Sequence, residues 1–276
     1  VCSSDLSLAG VQMKFSSVRK EGRFNISSQV GADSWIIKTP STVHRHLPEN
    51  EYTAMRLAQA IGVDIPDIEL VELTRLEHLP DIRLADEPYA YAIRRFDRSE
   101  NGRVHAEDFA QIFEIYAHDK YRGKNYDQIA AYLYEYGSEP LADAQQMARR
   151  LLANILLANG DAHVKNWSMI YPNQTDVRLS PAYDIVTTLA YIPGESEAAL
   201  NMAKEKRWDR ISMQTFERWA ERVDIPWPAI RVHLVDAIDK ARNLWPELLE
   251  NLPMADDHKS VLRRHWAALP PDFRLR

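Results

Sequence analysis

The sequence has only one cysteine, Cys2, among its 276 residues. A single thiol cannot form a disulfide within the chain, and no group of cysteine and histidine residues has the spacing of a structural zinc site. This pattern is typical of proteins of the reducing cytoplasm, which is the expected location. Long apolar runs are also missing. The stretch at 151–158 is far shorter than the ~20 residues of a membrane-spanning helix, so no membrane association is expected.

The sequence also lacks an excess of positive charge. The chain has 40 Asp and Glu residues against 34 Lys and Arg residues, which gives a net charge of -6 at pH 7. It therefore lacks the general basic field with which many proteins bind nucleic acids or anionic membranes non-specifically. With 45% apolar residues, the chain is long enough to bury a sizeable core in one large domain or in two lobes.

Hydrophobic patterning favours two lobes, the first of them rich in strands. Residues 11–38 contain short β-branched and aromatic segments separated by turn-forming residues, which predicts a meander of strands. An amphipathic pattern at about 48–61, ended by Gly62, predicts one helix after the meander. Two further strands are expected at 67–73 and 87–96.

The second part of the chain has mainly helical patterns. Helices are predicted at about 106–116, 126–136 and 139–158 and, divided by proline-containing breaks, beyond residue 212. Two short strands at about 167–171 and 176–180 form a predicted hairpin. Residues 194–202 are expected to form a mobile surface loop.

A polar loop interrupts this helical part directly after an apolar run. A kinase needs a carboxylate near the acceptor hydroxyl, a magnesium-binding side chain a few residues later, and a second magnesium-binding Asp from a neighbouring segment. Asp161 and Asn166 are five positions apart, which is the spacing of the protein-kinase catalytic loop. Asp184, just past the predicted hairpin, suits the second metal ligand. Two hard oxygen ligands plus phosphates suit Mg²⁺.

Other charged residues fit the same chemistry less specifically. Lys38 ends an apolar strand, where its ammonium could reach the phosphates of ATP, and Glu51 on the next helix is a candidate ion-pair partner. His163 either orients the loop or touches the substrate. Lys165 either neutralises the migrating phosphoryl group or is an ordinary surface charge. Each residue alone also fits a structural role, and only their combination and order favour a kinase.

Seven segments carry a resemblance to a known family. They are SLAGVQMKFS, WIIKTP, ENEYTAMRLAQAIGV, YAIRRFDR, VHAEDFAQIF, NGDAHVKNWSMIY and LSPAYDIVTT. Together they make the chain similar to the HipA family of bacterial Ser/Thr protein kinases, which are toxins of toxin-antitoxin systems. The resemblance implies an α+β, two-lobed protein-kinase-like fold. Its small β-rich lobe would span residues 7–96, with the phosphate-binding loop and the hinge, and its helical lobe would span 97–276.

The resemblance also implies residue roles. Asp161 would be the catalytic Asp, Asn166 and Asp184 would hold Mg²⁺, and Lys38 would contact the phosphates of ATP. The remaining implied positions are the phosphate-binding loop residues Gly10, Val11 and Gln12, the hinge residues Arg94 and Phe96, which would face adenine through backbone groups, and Ser7, a regulatory phosphorylation site. Arg94 departs from the family, because well-known members have an acidic residue there.

The activity implied by the resemblance is transfer of the ATP γ-phosphate to a Ser or Thr hydroxyl of a cytoplasmic protein, such as an aminoacyl-tRNA synthetase. A helix-turn-helix antitoxin of the HipB type would be the partner, and DNA would be contacted only through it. Two alternatives stay open: a small-molecule kinase of the aminoglycoside-modifying type, and a non-catalytic corepressor that binds such an antitoxin.

The first residues have a different character. VCSSDL, residues 1–6, is the translation of one frame of a common sequencing adapter and is expected to be a non-native leader. Well-known family members have an N-terminal subdomain before the SLAG segment, and no counterpart precedes it here. A truncated gene explains this, as does a short form whose missing subdomain is a separate protein.

Overall fold

The computed structural model describes residues 12–26, 34–116, 119–121, 123–173 and 175–275. The predicted leader and three predicted site residues, Ser7, Gly10 and Val11, lie outside this range. The described residues form a curled sheet with one helix, followed by a mainly helical part. The predicted α+β, two-lobed architecture is confirmed.

The elements have the following bounds. The strands are β1 Lys14–Lys20, β2 Arg23–Ile26, β3 Trp35–Lys38, β4 Ile68–Glu72, β5 Leu76–Glu77, β6 Tyr89–Arg94, β7 Arg98–Ser99, β8 Gly102–Arg103, β9 His105–Asp108, β10 Ser168–Tyr171, β11 Arg178–Leu179, β12 Glu197–Met202 and β13 Glu205–Arg207. The helices are α1 Leu47–Ala60, α2 Phe109–Ile112, α3 Tyr126–Tyr136, α4 Pro140–Leu156, α5 Met213–Arg222, α6 Trp227–Asn251 and α7 Asp256–Ala268.

The sheet of the small lobe has the strand order β4-β6-β3-β1-β2-β5. Its pairs are antiparallel except for the parallel pair of β2 and β5. Strand β3 is central, and its Trp35 and Ile37 are buried in a small core with Phe24. The register places Lys38, the last residue of β3, opposite Tyr91 on one side and Lys14 on the other. The sheet thereby presents two lysines at one end.

Helix α1 connects the two lobes. It begins one residue before the predicted start, has Pro48 in its first turn and ends just before Gly62, whose φ of 85° suits glycine. Its buried Ala54, Met55, Leu57 and Ala58 belong to the large core of the helical part. The indole nitrogen of Trp245 in α6 donates to the carbonyl of Leu57 in α1 at 2.9 Å. The position of α1 therefore depends on both lobes.

The helical lobe is built around α4. Its Met147, Leu151 and Ile155 recur at helical spacing and are buried against α3 and α6. The predicted helices at 126–136 and 139–158 are confirmed, as is the hairpin of β10 and β11. None of the helices in the described part of the chain combines the length and the apolar character that crossing a lipid bilayer requires.

Two predictions for this lobe are wrong. The expected helix at 106–116 is a strand, β9, which pairs with β10, followed by the short α2, which begins at a capping box of Asp108 and Gln111. The expected loop at 194–202 contains β12, whose Ala198, Ala199 and Leu200 are buried. The partner of β9 lies about 60 residues away, so the local pattern did not reveal that pairing, whereas β12 pairs with β13 directly after it in a local hairpin that the sequence analysis missed.

Candidate active site

The polar loop follows α4 and is held by its own hydrogen bonds. The Asp161 N–H donates to the side-chain oxygen of Asn159 at 3.0 Å, and the Asn159 amide donates to Asn154 of α4 at 2.8 Å. The His163 N–H donates to the Asp161 carbonyl at 2.8 Å, and the Asn166 N–H donates to the His163 carbonyl at 2.9 Å. The loop thus has a defined backbone before any ligand binds.

A buried arginine stabilises the loop by a hydrogen bond to its backbone. Arg150 of α4 is 3% exposed, and its guanidinium donates to the carbonyl of Asn166. It lies 4.3 Å from the ring centroid of Trp167 and 5.4 Å from that of Tyr183. Burial lowers the pKa of Arg150 to about 10, so it stays charged at neutral pH. The Tyr183 hydroxyl also donates to the carbonyl of Lys165 at 3.0 Å.

Asp161 is partly buried and more basic than an exposed carboxylate. Its side chain is 18% exposed. Burial raises the pKa of Asp161, although a hydrogen bond from the hydroxyl of Tyr121 opposes this shift. A partly exposed carboxylate with a raised pKa is suited to accept a proton from a bound hydroxyl.

His163 lies against Asp161 as a neutral imidazole. Its Nε2 is 3.7 Å from the Asp161 carboxylate, and its ring centroid is 5.2 Å from that of Tyr121. Burial lowers its pKa to about 3, and the charge of Lys120 adds to this effect. Its Nδ1 has no hydrogen-bond partner among the residues that the structure describes. The imidazole therefore adds no charge next to Asp161 at neutral pH.

An ion-pair network joins the small lobe to the helical lobe. The Lys38 ammonium contacts both Glu51 and Asp184, and Lys14 lies 3.6 Å from Asp184. Burial alone would lower the pKa of Lys38, but the two carboxylates raise it above its ordinary value. Burial would likewise raise the pKa of Asp184, but Lys14 and Lys38 hold it well below its usual range. The predicted pairing of Lys38 with Glu51 is confirmed.

Asn166 and Asp184 fit a site for a hard cation. The Asn166 side-chain nitrogen donates to the Asp161 carbonyl at 2.8 Å, which leaves its amide oxygen for a ligand. Asp184 is held ionised, its side chain is 27% exposed, and its backbone has a φ of 53°, in the left-handed region. Such strain in a non-glycine residue is often found at functional sites. Both residues offer oxygen atoms, which Mg²⁺ prefers.

The other predicted site residues lie at the edge of this group or away from it. Lys165 lines a separate cavity of about 420 Å³ together with Asp108. Arg94 points outward to Asp67 at 3.1 Å, and its N–H already donates to the Asp67 carbonyl at 2.8 Å. The ring of Phe96 packs against Tyr183, with 5.5 Å between centroids. Gln12 is buried, and its side-chain nitrogen has no partner within the described ranges.

One acidic residue near the loop was missed in the sequence. The Thr188 hydroxyl donates to the carboxylate of Glu195 at 2.5 Å and accepts from the Gly160 N–H at 2.7 Å. A Cβ at Gly160 would lie 2.1 Å from Glu195 Oε1, so this glycine permits the close approach. Burial raises the pKa of Glu195 to about 7, to which the charge of Asp161 contributes. In the sequence, the one signal of this contact is the glycine at position 160, directly before Asp161.

The sequence matches known proteins along most of its length. The chain is 39% identical over 263 residues to "Putative kinase Y4dM" of Sinorhizobium fredii, with 94% of this chain and 64% of that protein covered. It is 24% identical over 283 residues to "Serine/threonine-protein kinase toxin HipA" of Shewanella oneidensis, with 95% and 61% covered. The chain thus spans less than two thirds of the length of either relative.

Solved structures show the same fold. Shewanella oneidensis HipA, solved in a complex with HipB and its operator DNA, superposes with a TM-score of 0.75 at 22% identity, over 96% of this chain and 63% of that one. The proinflammatory kinase CtkA of Helicobacter pylori superposes with a TM-score of 0.53 at 15% identity, over 90% and 87%. The family model described as HipA-like C-terminal domain matches residues 6–245. This chain therefore belongs to the HipA-like C-terminal domain family.

Proposed function

We propose that the chain is the catalytic part of a protein kinase that transfers the γ-phosphate of ATP to a Ser or Thr hydroxyl. The observation that carries this proposal is the assembly of one site from distant segments. Lys38 ends β3, Glu51 lies on α1, Asp161 lies in the loop after α4, and Asp184 follows β11. Lys38 contacts Glu51 and Asp184, and Asp184 is near enough to Asp161 for its charge to raise the pKa of Asp161. A phosphoryl-transfer site needs this combination of a cation, metal-binding oxygens and a carboxylate.

On the nucleotide side, Lys38 and Lys14 supply positive charge beside the Asp184 carboxylate. Asn166 and Asp184 would hold Mg²⁺, which neutralises phosphate charge when bound. The unpartnered side-chain nitrogen of Gln12 is a further buried donor that a phosphate oxygen would satisfy. The hinge around Phe96 would face the adenine. These residues bind and orient ATP and need not exchange protons.

On the acceptor side, Asp161 would receive the proton of the attacking hydroxyl. The raised pKa of Asp161 favours that proton transfer. The imidazole of His163 beside it is neutral and therefore does not neutralise the negative charge of Asp161. Arg150 fixes the loop through the Asn166 carbonyl, so that Asp161 is oriented before the acceptor arrives.

Tyr121 stands where an acceptor hydroxyl would have to bind, because its own hydroxyl donates to Asp161. We expect Tyr121→Phe to lower the KM for the protein acceptor by about 2- to 12-fold, the factor that corresponds to the roughly 0.5–1.5 kcal/mol net contribution of a hydrogen bond. The KM for ATP should stay unchanged. Steady-state kinetics with varied acceptor measures both values.

The matched control is Tyr136→Phe, which removes a hydroxyl from an exposed tyrosine at the end of α3. It should leave both KM values as they are. A lower kcat with an unchanged acceptor KM in Tyr121→Phe would show that Tyr121 orients Asp161 and does not compete with the acceptor.

The biological setting is proposed from the relatives. A relative named as a serine/threonine-protein kinase toxin, and a similar structure solved with HipB and operator DNA, support a toxin role with a HipB-like, helix-turn-helix antitoxin as partner. DNA would be contacted through that partner. We further propose a cytoplasmic protein of translation, such as an aminoacyl-tRNA synthetase, as substrate and Ser7 as a regulatory phosphorylation site.

The kinase proposal is tested with the purified chain, labelled ATP and a bacterial lysate. We expect Mg²⁺-dependent ATP binding in calorimetry and label incorporated into protein. Label found only in small molecules would favour the aminoglycoside-type alternative. Binding of ATP with no transfer to any acceptor, or no ATP binding at all, would favour the non-catalytic corepressor.

A further inference from the structure

A second cluster of metal-ligand side chains lies at the start of α1. His46, Glu49 and Glu87 each offer one ligand atom, and these three atoms all lie within 4.8 Å of one another. His46 Nδ1 lies 3.6 Å from Glu49 Oε1. A separation of this size is close to that between two ligands of one tetrahedral ion with bonds of about 2.0–2.2 Å.

The fold brings these residues together from two segments. His46 precedes α1 with a φ of 57°, in the left-handed region, and Glu49 lies in the first turn of the helix. Glu87 comes from the segment leading into β6, and its two oxygens each lie 3.1 Å from the His46 N–H, which donates to them. The unusual backbone of His46 therefore coincides with the point where the two segments meet.

The cluster has two buried carboxylates and little positive charge. Glu49 is 6% exposed and Glu87 is 7% exposed. Arg45 lies 3.9 Å from Glu87, but its side chain is 81% exposed, so this ion pair contributes little. The two carboxylates lie close together in a poorly solvated place, where a bound cation would offset their mutual repulsion.

A capping role explains only part of this arrangement. A carboxylate that accepts the His46 N–H stabilises the positive end of α1, which accounts for Glu87. Glu49, in the first turn, also lies at the positive end of α1, but the Oε2 of this buried side chain has no hydrogen-bond partner in the described part of the chain. Native structures rarely leave a buried carboxylate oxygen unsatisfied without an ion, a water or a functional reason.

We infer that His46, Glu49 and Glu87 bind a divalent transition-metal ion, with Zn²⁺ as the best match. One imidazole nitrogen and two carboxylate oxygens are a ligand set that Zn²⁺ accepts, whereas Mg²⁺ prefers oxygen ligands alone. The ion would offset the charge of both acids and tie the start of α1 to the segment before β6. Since α1 also contains Glu51, the ion would stabilise the helix that positions the ion pair of Glu51 with Lys38.

The test is a titration of the metal-free chain with Zn²⁺ in the absence of nucleotide. Isothermal calorimetry should show one saturable site, and Zn²⁺ should raise the melting temperature. His46→Asn and Glu87→Gln should each weaken binding by more than about 10-fold, because even an outer partner of a metal site typically contributes that much. Asn tolerates a left-handed backbone, and Gln keeps an acceptor for the His46 N–H, so both variants should fold.

His44→Asn is the matched control, since His44 is two residues away and packs against Tyr191 with 5.0 Å between ring centroids. It should bind Zn²⁺ like the wild type, and Mg²⁺ should not compete. The inference is overturned if the wild type has no saturable Zn²⁺ site, or if the site persists unchanged in both cluster variants. Neither readout involves phosphoryl transfer, so this result is independent of the proposed kinase activity.

Discussion

Asp161→Asn is expected to abolish phosphoryl transfer and to leave Mg²⁺-dependent ATP binding intact. The Asn side chain has nearly the same shape but cannot accept the proton of the acceptor hydroxyl, and a general base typically contributes about 10²- to 10⁴-fold to the rate. The cations that would bind the phosphates contact Asp184 and Glu51, so nucleotide affinity should survive. A radiolabel assay measures transfer, and calorimetry measures ATP affinity.

The control for this variant is Asp176→Asn, which changes an exposed carboxylate in the turn between β10 and β11. It should transfer phosphate at the wild-type rate. Wild-type transfer by Asp161→Asn would remove Asp161 from the mechanism. Loss of ATP binding in that variant would instead place Asp161 on the nucleotide side of the site.

The parts of the site that the sequence predicted are those encoded locally. Asp161 and Asn166 lie in one loop, and their spacing is readable without a fold. Lys38 was placed by its position at the end of an apolar strand, and Glu51 by its position on the next helix. The ion pair of Lys38 with Glu51 and Asp184 then required only that the two lobes face each other.

The contacts that escaped prediction depend on long-range packing. Tyr121 contacts Asp161, which is 40 residues further along the chain. The segment after Asp184 contributes Thr188 and Glu195, and Thr188 bonds to Gly160. Arg150 sits in an apolar helical pattern, where no local signal distinguishes a loop support from a surface charge. The pairing of β9 with β10 likewise joins segments about 60 residues apart, and local propensity carries no information on such partners.

Lys38→Met is expected to cause the largest loss of stability. Lys38 is 4% exposed and Glu51 is 1% exposed, so removal of the ammonium leaves a buried carboxylate without its partner. Breaking a buried ion pair on one side typically costs about 3–5 kcal/mol. The variant should also lose ATP affinity, because Lys38 is the cation at the end of β3. Urea unfolding measures the free energy of unfolding, and calorimetry measures binding.

The double variant Lys38→Met/Glu51→Gln separates these two losses. It has no stranded carboxylate at position 51, so most of the stability should return, while ATP affinity should not.

The loss in the single variant should depend on pH. Burial already raises the pKa of Glu51 with Lys38 present, and without Lys38 that pKa should rise further. A carboxyl group whose pKa is higher in the folded state favours folding below its unfolded pKa, and this contribution is lost as the pH rises. The stability deficit of Lys38→Met should therefore be larger at pH 8 than at pH 5, and the double variant should show little such change. One contrary result is that Lys38→Met loses the same free energy of unfolding at both pH values, and another is that the Glu51→Gln substitution does not reduce that loss. Either result would mean that Glu51 is not the buried carboxylate left without a partner.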